Sequence, residues 1–487
     1  MNNNSLQGDL QDAIRNALNC ANSFEGDLYA LCNLYGVADG AVSGRLIPVA
    51  QKHSPTIGTA SGALNYLLQN PTVLPSMGLN FVDGTDRLDS RVTFTRASNA
   101  WRFNSAGVLT QATTNTPRFD YNPSTLAPRG LLIEEQRTNS IRNNTMVGAV
   151  VGVPGTIPTN WNTGNPAGIT TSIVSTGTEN GISYVDIRYS GTNTSGATGT
   201  SSLLFDGNAG KVAAANGQAW TPSAYLKIAA GSLANITGLY MGFYEKDASS
   251  IFLRTDASAA FPITSTLTRY TAPLTTQNAS CAFVDSPQIY WTTPNGASID
   301  ITIRVGLPQF EQGAFATSPI PTSGAAATRA ADVASMLGSN FSSWYNQTEG
   351  TLFAEGSTFG GTPATRRLLQ VDDGSANNRI IVGFNGSTSS RLLAQVSAVS
   401  QADVQVVISS AANTNKVAGA YKLNDFNQAS NGTAGTTDTS ATVPTVNVLR
   451  VGIDESTVPT TTLNGYIRRI AYYPRRLANA ELQGITA

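Results

Sequence analysis

Charged side chains are scarce in this sequence. Among 487 residues there are 30 Lys and Arg and 31 Asp and Glu, so the charged fraction is 13% and the formal net charge is −1. Typical soluble domains have a charged fraction of about 25%. Nucleic acids and anionic membranes are bound mainly by clustered Lys and Arg, and the sequence has no long basic run. The composition therefore predicts a polar, nearly neutral surface and disfavours a nucleic-acid partner.

Histidine and cysteine are also rare. The single histidine is His53, and no GxSxG motif accompanies it, which argues against a Ser-His-Asp triad and a histidine-rich metal site. The three cysteines, Cys20, Cys32 and Cys281, are odd in number and widely spaced. This pattern fits neither a disulfide framework nor a CxxC metal site, so we expect free, buried thiols and no catalytic residue.

Long hydrophobic runs are missing as well. No apolar stretch approaches the ~20 residues that span a bilayer, so no membrane insertion is expected. The first residues, MNNNSLQGDLQD, lack the basic and apolar regions of a signal peptide. We therefore expect a soluble protein that is made in a cytoplasm.

Apolar residues between Leu10 and Tyr35 recur at alternating spacings of four and three, the pattern of a heptad seam on a helix. This helix either associates with itself or another protein, or packs as an ordinary amphipathic helix on its own domain. Gly26 weakens the first alternative, because a mid-helix glycine costs about 1 kcal/mol relative to alanine. The following residues, 37–79, are rich in Gly, Ala, Pro and Ser and predict an irregular arm.

Most of the remaining chain has the pattern of short β-strands separated by turn residues. Helical periodicity is absent between Thr145 and Arg329, where five segments alternate or run apolar: Ser183–Tyr189, Trp220–Ile228, Leu239–Tyr244, Thr268–Pro273 and Ser298–Val305. These segments predict one β-sandwich.

A second sandwich is predicted from Trp344 to Ala487. It begins with the strand Gly350–Phe359 and ends with Leu463–Thr486, and we expect these first and last strands to lie side by side. The final segment predicts a short helix, which Asn479 is expected to cap.

The stretch Arg91–Asn139 contains the segments FTRAS, PRFDY and GLLIEEQRTN, and it resembles a segment of bacteriophage head-spike and tail-fibre proteins. Residues 308–336 resemble the end of a carbohydrate-binding-module-like jelly roll. The C-terminal sequence is similar to concanavalin A-like, laminin-G-type jelly rolls. The resemblance implies a mainly β protein, in which two β-sandwich (jelly-roll) domains follow a small helical or irregular N-terminal anchor and a β-rich connector.

Four regions follow from this interpretation: an anchor at 1–80, a connector at 81–145, a carbohydrate-binding-module-like sandwich at 146–330 and a laminin-G-like sandwich at 331–487. The resemblance also implies virion partners such as the capsid, portal or tail adaptor, a host-surface glycan as ligand, and a homotrimer.

Glu134 and Glu135 are the obvious paired carboxylates in this sequence. A glycosidase holds two carboxylates across one bond, but neighbouring strand residues point to opposite faces. We therefore expect one of the two to pair with Arg129 or Arg137 and the other to be solvated. The connector interpretation also lets Arg137 lie near enough to Glu134 to pair.

Two sets of residues are candidates for ligand sites. Aromatic rings pack against sugar rings, and the middle sandwich offers Trp161, Trp220, Tyr240, Tyr290 and Trp291. Most of these are expected in the core, and the preferred candidates are Trp291, Tyr290 and Trp161; because Tyr290 and Trp291 are adjacent, one of them should point outward. The hairpin Val371–Arg379 has the oxygen-rich side chains Asp372, Asp373 and Asn377, which either bind Ca²⁺ or simply form the turn.

The sequence thus predicts a non-enzymatic fibre or spike on the virion surface, made in the bacterial host cytoplasm, that contacts host glycans. Two alternatives stay open: a tailspike depolymerase and a ligand-free capsid decoration protein.

Overall fold

The computed structural model describes residues 75–207, 210–360, 365–456 and 461–487. The heptad-patterned segment, His53, Cys20, Cys32 and nearly all of the predicted anchor lie outside these residues. Cys281 is a buried free thiol, as predicted. Neither helix within the described ranges is long and apolar enough to span a membrane.

The described chain is built almost entirely of β-strands. The first part contains β1 Met77–Asn80, β2 Thr93–Thr95, β3 Ala100–Phe103, β4 Leu109–Ala112, β5 Phe119–Tyr121, β6 Pro128–Ile133, β7 Arg137–Asn139, β8 Asn162–Gly164, β9 Ile169–Glu179, β10 Ile182–Thr192, β11 Gly199–Leu204, β12 Val212–Ala213, β13 Ala219–Gly231, β14 Thr237–Lys246, β15 Phe252–Ala257, β16 Thr268–Thr271, β17 Leu274–Thr275, β18 Phe283–Thr293, β19 Ser298–Gln312 and β20 Ala327–Arg329. The second part contains β21 Val333–Leu337, α1 Ser339–Ser342, β22 Glu349–Thr358, β23 Thr365–Asp372, β24 Arg379–Asn385, β25 Ser389–Val396, β26 Val399–Val407, β27 Asn415–Lys422, β28 Asn427–Ser430, β29 Thr433–Ala434, β30 Val448–Val451, β31 Gly465–Tyr473 and α2 Asn479–Thr486. The predicted mainly β class is confirmed.

These elements form two compact units. Among the described residues, unit 1 contains 75–94, 128–133 and 333–487, and unit 2 contains 95–127 and 134–332. The short segment 128–133 therefore belongs to unit 1 although the chain on both sides of it belongs to unit 2. The four regions predicted from the sequence stay predictions.

Unit 2 is a β-sandwich of two antiparallel sheets. One sheet has the strand order β16–β13–β19–β10–β9, and the other has the order β15–β14–β18–β11–β8. Apolar side chains from both sheets form one buried core, which includes Ile187, Leu226 and Ile303 from the first sheet and Met241 and Ile289 from the second. All five strands predicted between residues 145 and 329 are present.

Unit 1 is a second sandwich with two larger sheets. In one sheet the order is β29–β28–β27–β22–β31, and both β1 and β6 pair with the other edge of β31. The second sheet has the order β2–β21–β30–β23–β24–β25–β26. The predicted neighbourhood of the first and last strands is confirmed, because β22 pairs with β31.

The cap of the C-terminal helix α2 differs from the prediction. Ala478, and not Asn479, is the N-cap residue, and the Glu481 carboxylate accepts a hydrogen bond from the Ala478 N–H at 2.8 Å. Arg475 donates to the same carboxylate at 2.7 Å and 2.9 Å. A glutamate at the third helical position thus satisfies the N-cap amide by itself.

Gly130, the first residue of the GLLIEEQRTN segment, is required by the close approach of β6 to β31. Its φ is +115°, and a Cβ atom there would lie 2.3 Å from the Ile467 carbonyl oxygen. We expect Gly130→Ala to lower the free energy of unfolding by about 1–3 kcal/mol, because both the backbone conformation and the contact become strained. Denaturant unfolding measures this. Gly78→Ala is the matched control, since Gly78 also pairs with β31 but its added methyl group would meet no atom within 4 Å; equal losses in the two variants would contradict the assignment.

Candidate functional site

Tyr290 and Trp291 are neighbours on β18 and have opposite environments. Trp291 is fully buried in the core of unit 2, where its ring lies edge-on to Tyr189 with centroids 4.7 Å apart. Tyr290 is only half-buried. Trp161 is 6% exposed, and its indole N–H donates to the Asn143 carbonyl at 2.7 Å. Of the three predicted aromatic ligand residues, the structure therefore places only Tyr290 at a surface.

Tyr290 is paired with a second surface tyrosine. Tyr240 on β14 lies directly opposite Tyr290 in the strand register, and the two rings are stacked with centroids 5.1 Å apart at an angle of 22°. Tyr244 follows Tyr240 at the same face, and its ring contacts Phe252 edge-on at 5.2 Å. Within the described residues the three hydroxyl groups make no hydrogen bond. We name Tyr240, Tyr244 and Tyr290 the tyrosine face.

The row of residues beside the stacked pair is buried. Gly242 lies between Tyr240 and Tyr244 on β14 and has no side chain, and its register partner on β18 is Gln288, which is buried. Because side chains two residues apart on a strand point to the same side, this row lies between the stacked rings and Tyr244. The Asp256 carbonyl oxygen lies where a side chain at position 242 would begin, so this row is closed by the backbone of β15 and the aromatic rings lie on either side of it.

The chemistry of this face suits a neutral polyhydroxylated ligand. Burial, together with the neighbouring Tyr240 and Tyr244, raises the pKa of the Tyr290 hydroxyl, so the group stays protonated at neutral pH. Aromatic rings offer flat apolar surfaces, and phenol hydroxyls both donate and accept hydrogen bonds. Tyr244 was not predicted from the sequence, although the alternation in LYMGFY puts it on the same face as Tyr240.

The residues of the predicted calcium hairpin mainly bond to their own surroundings. The buried Asp372 carboxylate accepts hydrogen bonds from Arg450 Nε at 2.7 Å, Gln370 Nε2 at 2.8 Å and Gly374 N at 2.8 Å. Asp373 accepts from Ser375 Oγ at 2.6 Å. Asn377 is exposed in the connection between β23 and β24. No group of three or more His, Cys, Asp or Glu side chains arranged for a metal occurs in the described ranges. Calcium binding stays a prediction.

Glu134 has different partners from those predicted. It is fully buried, and its carboxylate lies 2.7 Å from Arg118 Nη1 and 2.9 Å from Arg329 Nη1. Ser318 donates to it through its N–H at 2.7 Å and its hydroxyl at 2.6 Å. Burial alone would raise the pKa of Glu134, but the two arginines and the serine outweigh it and lower the pKa to about 2. The predicted pairing of Glu134 with Arg137 is wrong.

Asp332 extends this arrangement into a buried ion cluster. It pairs with Arg118, lies 3.1 Å from Arg96 Nη1 and accepts the Glu134 N–H at 2.9 Å. The ion cluster thus consists of Arg96, Arg118, Glu134, Arg329 and Asp332, all in unit 2. Arg96 comes from FTRAS, Arg118 from PRFDY and Glu134 from GLLIEEQRTN, so the three motif segments meet in the ion cluster.

Glu135 pairs with Arg137, as predicted for one of the two glutamates. Its carboxylate lies 2.6 Å from Arg137 Nη2, and its side chain is 25% exposed. The prediction for the other glutamate is wrong, because Glu134 is buried among arginines and is not solvated. Both carboxylates are therefore paired with arginines, Glu134 inside the ion cluster and Glu135 outside it.

No family model and no curated protein matches the chain. Solved structures are similar to parts of the chain at low identity. The carbohydrate-binding module CBM40 of the Ruminococcus gnavus IT-sialidase, bound to α2,3 sialyllactose, is 15% identical and covers 29% of this chain and 84% of its own, with a TM-score of 0.27. Domain 4 of AbnA, an arabinanase of Geobacillus stearothermophilus, in complex with arabinotriose, is 12% identical over 36% of this chain and 81% of its own, with a TM-score of 0.25.

Domains LG4–5 of the mouse laminin α1 chain are 10% identical and cover 55% of this chain and 89% of their own, with a TM-score of 0.21. At such values the sandwich assignment rests on the strand pairing and the cores of units 1 and 2 themselves.

Proposed function

We propose that this protein is a structural component of a bacteriophage particle, a head or tail fibre or spike, and that its tyrosine face contacts glycans of the host surface. The observation that carries the glycan part is the stacked, half-buried Tyr240–Tyr290 pair, with hydroxyl groups that bond to no described residue. The virion part is supported by the resemblance of the FTRAS, PRFDY and GLLIEEQRTN segments.

The composition agrees with this role. A nearly neutral, turn-rich surface has little attraction for the nucleic acids of the host cytoplasm, where the protein is made. In the proposed assembly the chain is a homotrimer on the virion surface, attached to the capsid, portal or tail adaptor. Several copies of a weak glycan site on one particle then bind much more tightly together than singly.

Glycan binding is tested by removing the two stacked rings. We expect Tyr240→Ala and Tyr290→Ala each to weaken binding to host surface polysaccharide up to about tenfold, since an aromatic contact contributes about 0.5–1.5 kcal/mol. Binding is measured by calorimetry or on a glycan array with the full chain. Tyr466→Ala is the matched control, because it removes a half-buried tyrosine ring of unit 1, one that contacts Phe359 at 5.3 Å. Binding that survives in both unit 2 variants would refute the tyrosine face as the site.

The same material distinguishes the remaining functions. A tailspike depolymerase would release new reducing ends from the polysaccharide, and a non-enzymatic contact protein would release none. Antibody labelling of purified particles tests the virion role: absence of the protein from every particle would refute it, whether or not the isolated chain binds sugar.

A further inference from the structure

Two buried carboxyl groups lie side by side at the edge of the sheet that carries the tyrosine face. Glu245 is on β14 and Asp256 is on the edge strand β15. Asp256 is the register partner of Phe243, whose side chain is in the core. The Asp256 carboxyl group therefore lies on the core side of the sheet, and Tyr244 lies on the other side. Glu245 is fully buried and Asp256 is 2% exposed.

The two carboxyl groups differ in their partners. Glu245 accepts hydrogen bonds from the Gln277 N–H at 2.7 Å and the Asn278 N–H at 3.0 Å, so its charge is held by the loop before β18. Neither oxygen atom of Asp256 reaches water, and no N–H or O–H group of the described residues makes a well-aligned hydrogen bond to either of them. Asp256 lies within hydrogen-bond reach of Glu245. Two carboxyl groups bond to each other only when one of them carries a proton.

The charges that face Asp256 do not balance two carboxylates. Arg254 Nε on β15 lies 2.9 Å from Asp256 Oδ1 and 3.8 Å from Glu245 Oε1, and its side chain is 40% exposed. Cys281, from the loop before β18, also interacts with Glu245 and Asp256, and burial raises the pKa of its thiol to about 11, so it stays neutral. With both carboxyl groups ionised, the site would hold one uncompensated negative charge.

We propose that Asp256 and Glu245 share one proton and that this proton is a pH-dependent latch that holds the edge strand β15 against β14. β15 supports the tyrosine face, because Thr255 and Ala257 pair with Tyr244 and Gly242, and Phe252 contacts the Tyr244 ring. Loss of the proton places two carboxylates against each other and releases β15 and the loop at Gln277.

The direction of the pH effect follows from the sign of the shift. Burial, and next the hydrogen bond and charge of Glu245, raise the pKa of Asp256 from its usual 3.8 to about 7. The folded protein therefore binds a proton that the unfolded chain has already lost. The stabilisation is complete below the unfolded pKa and is lost as pH rises through about 7.

Hydrogen exchange of the full chain tests the latch. We expect the amide protection factors of β15, corrected for the intrinsic effect of pH, to fall between about pH 4 and about pH 7 and to level off above that, while those of β25 in unit 1 stay constant. In Asp256→Asn, which carries a neutral donor to Glu245 at every pH, β15 is expected to stay protected over the whole range. Asp300→Asn is the control, since Asp300 is an exposed partner of Arg188, and its pH response should equal that of the unmodified protein.

Constant protection of β15 in the unmodified protein, or an unchanged pH response in Asp256→Asn, would overturn the proposal. If Asp256→Asn does not fold, Glu245→Gln decides, because it removes the charge of the other carboxylate and must move the pH response of β15 to lower pH. These measurements need no glycan, so their outcome is independent of the proposed ligand.

Discussion

Asp332→Ala is expected to lower the free energy of unfolding of unit 2 by about 3–5 kcal/mol, the usual cost of removing one partner of a buried ion pair. Asp332 joins Arg96 and Arg118 and also accepts the Glu134 N–H. Its loss leaves two arginine side chains without their main counter-ion in a site that water does not reach. A neutral pair of similar shape would cost little, but a single deletion leaves charge unpaired.

Urea unfolding followed by circular dichroism measures this loss. Asp300→Ala is the matched control, because Asp300 pairs with Arg188 at the surface, where the side chains are 61% and 47% exposed, and such pairs contribute about 0–1 kcal/mol. Glu135→Ala, which removes the partly exposed partner of Arg137, should be closer to the control. A stability loss in Asp332→Ala no larger than that in Asp300→Ala would show that the ion cluster does not stabilise unit 2.

Trp291→Ala is expected to destabilise unit 2 by about 3–5 kcal/mol, the range for buried aromatic residues replaced by alanine. The ring is fully buried between the two sheets and packs edge-on against Tyr189. Deleting it leaves a cavity in the core and removes the aromatic contact. Any loss of glycan binding in this variant would therefore come from unfolding and not from a missing contact.

The comparison with Tyr290→Ala separates the two roles. Trp291→Ala should shift the thermal midpoint strongly, whereas Tyr290→Ala should leave the midpoint nearly unchanged and weaken ligand binding. Both are read by thermal unfolding and calorimetry on the same samples. A large stability loss for Tyr290→Ala and a small one for Trp291→Ala would mean that the two side chains had been assigned to the wrong faces.

The strands were predictable because their signal is local. Alternating or continuous apolar residues placed all five segments of unit 2 and the strands β22 and β31 of unit 1. Alternation also showed that Tyr290 and Trp291 face opposite ways. To decide which one is buried, one must know which face of the strand points to the core. Ile289, two residues before Trp291, indicates that face, because residues two apart on a strand share a face.

The partners of Glu134 could not be predicted in this way. Arg137 is close to Glu134 in the sequence and was predicted as its partner. The observed partners, Arg118 and Arg329, are distant in the sequence and are brought to Glu134 by tertiary packing. No periodicity in one segment reports on such a meeting. The prediction of the helix cap was wrong for a related reason. Asn479 suits an N-cap by residue type, but Ala478 is the N-cap and the Glu481 carboxylate accepts the hydrogen bond of its N–H.

The ion cluster also limits how this sandwich can be exchanged between proteins. Arg96, Arg118 and Glu134 precede the strands of the sandwich, whereas Arg329 and Asp332 follow them. A gene fragment for residues 146–330 alone would retain Arg329 without Glu134. Recombination that moves the sandwich as a working unit must therefore carry the FTRAS–GLLIEEQRTN stretch along with it, because this stretch supplies the carboxylate that pairs with Arg329.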